Sequence, residues 1–137
     1  MQVHELMDRY RDTVFRKDVA GFMQLFDPAV RVFDMWERWS FEGAAAWQGM
    51  AEDWLGNLGE ERVTVTFSEV QVREDAQLAT LTAYVRFAAI NTQGAELRYL
   101  ENRLTWVAAR HADSWKIIHQ HTSSPIDFAS MKVRLQR

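Results

Sequence analysis

The patterning of this chain predicts an α+β domain in which three N-terminal helices pack on one face of a curved, mostly antiparallel sheet, and three observations carry that prediction. Apolar residues recur at helical spacing in three stretches before residue 59. From Arg62 onward, four long runs are separated by Glu74-Asp75-Ala76-Gln77, Thr92-Gln93-Gly94-Ala95 and His111-Ala112-Asp113, polar connections of hairpin length. Helices first and strands after, with one early strand between, is the order of a layered α+β domain and not of alternating βαβ units. At 137 residues the chain fits one domain. We place that domain at 1–125, with 126–137 as a C-terminal tail.

Val3, Leu6, Met7, Tyr10 and Val14 predict an amphipathic helix over 3–16 with Tyr10 on its buried face. Asp18 can cap a second helix carrying Val19, Phe22, Met23 and Phe26, which Asp27-Pro28 ends. The pattern then switches to a strand from Val30 to Met35, with Val30, Val32 and Asp34 on one side, so a carboxylate follows two valines. Trp47, Met50, Ala51, Trp54, Leu55 and Leu58 mark the third helix, closed by Gly59. The four strands fall at 62–73, 78–91, 97–110 and 114–124 and should form an antiparallel meander. In the last one, strict alternation puts Trp115, Ile117, His119 and His121 on one face, the two imidazoles about 7 Å apart at the end of an apolar surface. They could line a ligand pocket, or only bond neighbours or a subunit contact. The tail, ending in Lys132, Arg134 and Arg137, reads as a mobile or interface-bound terminus.

A formal charge of −3 argues against a general nucleic-acid binder, which carries a basic excess to displace counterions. A membrane role is not expected, because no apolar run approaches the ~20 residues of a spanning helix and the first residues do not read as a signal peptide. With no cysteine, thiolate nucleophiles, disulfides and cysteine-ligated metals drop out, and the composition suits a reducing cytoplasm. Six tryptophans, among them Trp36, Trp39, Trp47 and Trp54 in the first half, could wall a pocket or fill the core.

Two stretches carry a family resemblance. Leu6-Met7-Asp8-Arg9-Tyr10-Arg11 through Phe26-Asp27-Pro28-Ala29-Val30 to Phe33-Asp34 is similar to bacterial ketosteroid isomerases, and Ala83-Tyr84-Val85-Arg86 with Trp115 to Pro125 resembles the association domain of calcium/calmodulin-dependent kinase and its SnoaL-like relatives. Both belong to the nuclear transport factor 2-like superfamily, whose resemblance spans about 3–125 and implies a cone-shaped α+β barrel and a homodimer. In the isomerases a helix-one tyrosine donates to the substrate oxyanion and an aspartate ending the first strand moves the proton. Tyr10 and Asp34 match those positions and the interval between them. In the association domain the arginine after the tyrosine of the motif lines the pocket, which gives Arg86, beside Tyr84, a candidate role. The isomerases also carry a second acid on the third long strand, where Asn102-Arg103-Leu104-Thr105-Trp106 here has none. Asn102 or a nearby histidine could replace it.

The function expected from these residues is binding of a small organic molecule, with cofactor-independent proton transfer next to a carbonyl, as in an isomerase or cyclase. Asp34 is the expected base and Tyr10 the oxyanion donor. His119, His121, Arg86, Tyr84, Asn102, Trp36 and Trp54 are the expected substrate contacts. No metal is expected, since zinc would need a third ligand beyond the histidine pair. The alternative is a non-catalytic ligand-binding or assembly domain. Self-association is expected through the outer sheet face, which bears residues such as Val107 and Ile118 and has no helix left to cover it.

Overall fold

The computed structural model describes residues 2–137. Three helices, α1 (Glu5–Arg16), α2 (Val19–Met23) and α3 (Ala44–Gly56), lie against a sheet built from β1 (Phe26–Phe33), β2 (Phe41–Glu42), β3 (Arg62–Glu74), β4 (Leu78–Ile90), β5 (Glu96–His111) and β6 (Ser114–Ser123). A separate small hairpin pairs β7 (Ile126–Asp127) with β8 (Lys132–Val133). The large sheet runs in the order β2-β1-β6-β5-β4-β3. Every neighbouring pair is antiparallel except β1 with β6. The sheet is curved and open, so the expected cone is a sheet wrapped around helices and not a closed barrel.

The stripe Leu6, Met7, Tyr10 and Val14 of α1 is buried as its spacing requires, and it meets Phe22, Val30, Val32, Trp47, Leu81 and Trp106 in one continuous core. Fully burying an aromatic such as Phe22 contributes about 1.5–3 kcal/mol. Asp18 caps α2 by accepting from the Gly21 N–H at 3.0 Å. That helix stops at Met23, four residues before Asp27-Pro28, and β1 starts at Phe26 instead of Val30. Pro28 is tolerated in the strand because it falls in the irregular stretch between Phe26 and Arg31, where its missing N–H removes no ladder bond to β6.

Irregularities of one extra residue bend the sheet. They occur between Ser68 and Gln71 on β3, between Glu96 and Arg98 at the start of β5, and between Ile117 and His119 on β6. The last has the largest consequence. Ala108 pairs with Ile117 and Val107 with His119, which leaves Ile118 unpaired and inverts the alternation beyond it. Trp115 and Ile117 point inward, but after the bulge the inward residues are Gln120 and Thr122, both buried. The single shared face expected for Trp115, Ile117, His119 and His121 is therefore corrected: the two histidines point outward.

The tail, expected as a mobile or interface-bound terminus, packs against β5 of its own chain. β6 stops pairing at Ser123, opposite Arg103, so β5 from Glu96 to Glu101 has an edge whose backbone groups need partners. The chain folds back to supply them. The Glu101 N–H donates to the Leu135 carbonyl at 2.6 Å, and the Gln136 side-chain amide donates to the Tyr99 carbonyl at 3.0 Å. Arg137 pairs with Glu69 at 2.7 Å and lies over the Tyr84 ring.

Candidate functional site

Between the helices and the inner face of the sheet lies a cavity of about 570 Å3. Its apolar walls include Trp36, Trp47 and Met50, then Trp54, Phe87 and Leu100. Polar groups are few: Tyr10, Asp34, Asn102, Gln120, Thr122 and, toward the exterior, Arg98 and Tyr99. That is the composition of a site for a mostly apolar ligand held by a small number of oriented polar contacts.

Tyr10 reaches the cavity from the buried stripe of α1. Its ring is wedged between Phe22, Phe67 and Trp106 at centroid distances of 5.3, 5.9 and 5.7 Å. Among the described residues nothing hydrogen-bonds its hydroxyl, although the residue is only 6% exposed. Burial, reinforced by the negative charge of Asp34, pushes its pKa up. Tyr10 is accordingly a neutral O–H donor with its proton available to a ligand.

Asp34 follows directly on β1, and the alternation Val30, Val32, Asp34 turns its carboxyl toward the same cavity. The Thr122 hydroxyl donates to Asp34 Oδ1 at 3.1 Å and itself accepts from the Met35 N–H at 3.0 Å. Two opposing effects act on this carboxyl. Burial raises its pKa, while hydrogen bonds from Thr122 and the N–H groups of Trp36 and Met35 lower it, and burial wins. The result is a carboxylate more basic than an ordinary aspartate, with the Thr122 hydroxyl orienting its Oδ1. Thr122 had no signal in the sequence, because strict alternation put it on the outer face.

Asn102 sits on the inner face of β5 opposite Val85, which settles the side of the sheet it occupies. Its Nδ2 donates to Met35 Sδ at 3.5 Å, and its buried Oδ1 has no partner. Trp36 and Trp54 also line the cavity. Five of the expected site residues are thus brought together: Tyr10, Asp34, Asn102, Trp36 and Trp54.

The other four lie elsewhere. On β4 the inward positions are taken by Val85 and Phe87, so Tyr84 and Arg86 project outward. Arg86 forms a two-pronged ion pair with Glu96 at 2.8 and 2.9 Å and lies 3.9 Å over the Tyr99 ring. His119 donates from Nδ1 to the Arg31 carbonyl at 2.7 Å, which fixes its proton on that nitrogen when neutral, since a carbonyl only accepts. Its ring and that of His121 stand edge-on to Phe33, at 5.0 and 5.5 Å, with the Arg31 guanidinium 4.6 Å over the same phenyl. His121 borders a more open recess of about 480 Å3 formed with the 34–40 loop, which Asp34 and Thr122 also touch from its inner end. Arg86 and the two histidines do not converge on one ligand.

Arg98 and Gln120 were absent from the expected set. Arg98 donates to Glu61 at 2.6 Å at the cavity edge, which neutralises it there. Among the described residues no three histidines, cysteines or carboxylates are placed together to hold a metal, and no helix is long and apolar enough to cross a membrane.

A family model described as a SnoaL-like domain matches residues 3–127. Among solved structures, an NTF2-like protein of unknown function from Pseudomonas putida is similar with a TM-score of 0.86 at 21% identity, over 98% of this chain and 92% of its own. A candidate calcium/calmodulin dependent protein kinase II association domain from Xanthomonas campestris is similar at 0.75 and 17% identity, over 88% and 84%. The protein Aln2 from Streptomyces is similar at 0.77 and 16% identity, over 88% and 86%. At these identities the likeness is one of fold. None of the curated proteins matches the chain.

Proposed function

Because this chain belongs to the SnoaL-like domain family, we propose that it binds a small, largely apolar carbonyl compound and moves a proton next to that carbonyl, as an isomerase or cyclase without a cofactor. One observation carries the reading: a carboxylate with raised basicity and an unpartnered phenol line the same apolar cavity. In the proposed reaction Asp34 takes a proton from the carbon beside the ligand's carbonyl. The C–H electron pair moves into the new C=C bond and the carbonyl π pair onto oxygen. Tyr10 donates a hydrogen bond to that oxygen without losing its proton, and Asp34 returns its proton to carbon. Thr122 keeps the carboxylate aimed, and Trp36, Trp54 and Phe87 exclude water, which strengthens each of these contacts.

The test follows exchange of deuterium from solvent into a panel of small enolisable ketones and lactones. Asp34→Asn should cut exchange by about 10²–10⁴ and leave binding intact. Tyr10→Phe should lower it by less, since another donor remains. Exchange equal in wild type and Asp34→Asn would overturn the reading.

A second reading, a ligand-binding or assembly domain, draws support from the outer sheet face, where Val107 and Ile118 are half-buried and, among the described residues, lie outside the helix-covered core. In either case we propose that two copies meet through that face and that the protein works in the cytoplasm. A strict monomer by light scattering at micromolar concentration would remove the dimer. Absence of exchange across the panel, with self-association intact, would favour assembly over catalysis.

A further inference from the structure

We infer that Gln120 is a second donor to the ligand's carbonyl oxygen and that Trp106 is the residue that aims it. The inference rests on the proton-transfer reading above and adds two residues to it.

Trp106 Nε1 donates to Gln120 Oε1 at 2.9 Å in the buried core. An indole N–H can only donate, so the atom facing it has to be the amide oxygen, and the orientation of Gln120 is fixed by chemistry. Its NH2 then points the other way. Among the described residues it meets no acceptor, yet it is not shut into the protein: Gln120 lines the cavity and its Nε2 is open to it. With 3% of the residue exposed, this is a polar group held almost wholly inside and left for something in the cavity to satisfy.

The same indole also sets the other donor. Its ring packs against Tyr10 at 5.7 Å, so Trp106 fixes the phenol by contact and the amide by a hydrogen bond. Two positions further along β6, Thr122 holds Asp34, and residues two apart on a strand are about 6.5–7 Å apart. The amide and the carboxylate therefore flank one space, one suited to an oxygen that gains charge and the other to the carbon that loses a proton. Asn102, the replacement donor considered from sequence, is less free: one of its two Nδ2 hydrogens goes to Met35 Sδ and its Oδ1 is closed off from the cavity, whereas both Nε2 hydrogens of Gln120 are left over.

The probe is para-nitrophenol, whose phenolate resembles an enolate in charge and shape and absorbs visible light. It is bound to Asp34→Asn protein, whose neutral amide stands for the carboxyl after it has taken the proton. The readout is the ratio of phenolate to phenol in the bound probe at fixed pH. Adding Gln120→Met should lower that ratio about tenfold, the value of one hydrogen bond to a charged oxygen. Trp106→Phe, which keeps the ring against Tyr10 but frees the amide to rotate, should lower it by a smaller factor, and Tyr10→Phe should lower it independently. An unchanged ratio in Gln120→Met, with Tyr10→Phe still effective, would retire Gln120 and leave the proton-transfer reading standing. No effect from Tyr10→Phe, or no binding of the probe, would overturn both. Should Gln120→Met fail to fold, the Gln120 side-chain amide resonances of the parent protein decide the matter: a shift on adding para-nitrophenol is expected, and unmoved resonances would contradict the assignment.

Discussion

The inner and outer faces of the sheet are made by the same strands, yet their polar residues are managed differently. On the inner face of β6, Gln120 and Thr122 are buried and held by specific bonds, Gln120 to Trp106 and Thr122 to both Asp34 and the Met35 N–H. On the outer face, His119 and His121 sit over Phe33 and Arg31 in contact with solvent, where water can replace any partner they lose. The difference traces to one unpaired residue, Ile118. Polar groups on the inner face are costly to disturb and able to act on a ligand, while those on the outer face are cheap to change.

That contrast is sharpest at two consecutive isoleucines. Ile117 is fully buried and Ile118 lies half-buried in the bulge. Ile117→Ala should cost about 2–5 kcal/mol, and Ile118→Ala about 1 kcal/mol, in urea unfolding. Equal costs would mean that the two faces are not distinct.

Thr122→Val comes next. It removes a hydroxyl that accepts from Met35 and donates to Asp34, so a loss of about 1–3 kcal/mol is expected, against about 0.5 kcal/mol or less for His121→Ala. Losing that donor should also raise the pKa of Asp34 further, which a pH titration of the carboxyl by NMR would detect.

Asp34 links stability to pH. Its folded pKa lies above the ordinary carboxylate value, so between the two the folded protein keeps a proton that the unfolded chain has released. Stability therefore falls as pH rises through that interval and stays lower at neutral pH. Asp34→Asn should unfold at a higher temperature than wild type at neutral pH, and the gain should vanish in acid below the ordinary carboxylate range. A gain that persists there would place its origin in something other than the ionised carboxyl.

The smallest effect is expected at Arg86. Its pair with Glu96 is exposed, so Arg86→Ala should cost under about 1 kcal/mol, and less in high salt. A larger, salt-independent loss would show that this outer cluster is structurally integral.

Much of this was legible in the sequence where local rules hold. Helical spacing found the buried stripe of α1 and placed Tyr10 on it, and alternation along β1 turned Asp34 inward. The long hairpin strands also fell within a residue or two of their predicted bounds. What escaped depends on contacts between distant residues. A run such as Ile117-Ile118 carries no local mark of which isoleucine is paired, so the bulge and the facing of His119 and His121 were invisible. Pro28 read as a stop because a bulge that accommodates it is set by pairing with β6. Trp106 with Gln120 and Asp34 with Thr122 are tertiary pairs, and nothing in a single sequence joins them. The folded tail answers an open edge of β5 that exists only once β6 has ended.

The most direct measurement places the two faces in one assay. Deuterium exchange into an enolisable ketone turned over by wild type is followed for Asp34→Asn and for the combined His119→Ala, His121→Ala variant. A fall of about 10²–10⁴ is expected for Asp34→Asn, and the wild-type rate for the histidine variant. Exchange that survives in Asp34→Asn but is lost with the histidines would contradict both.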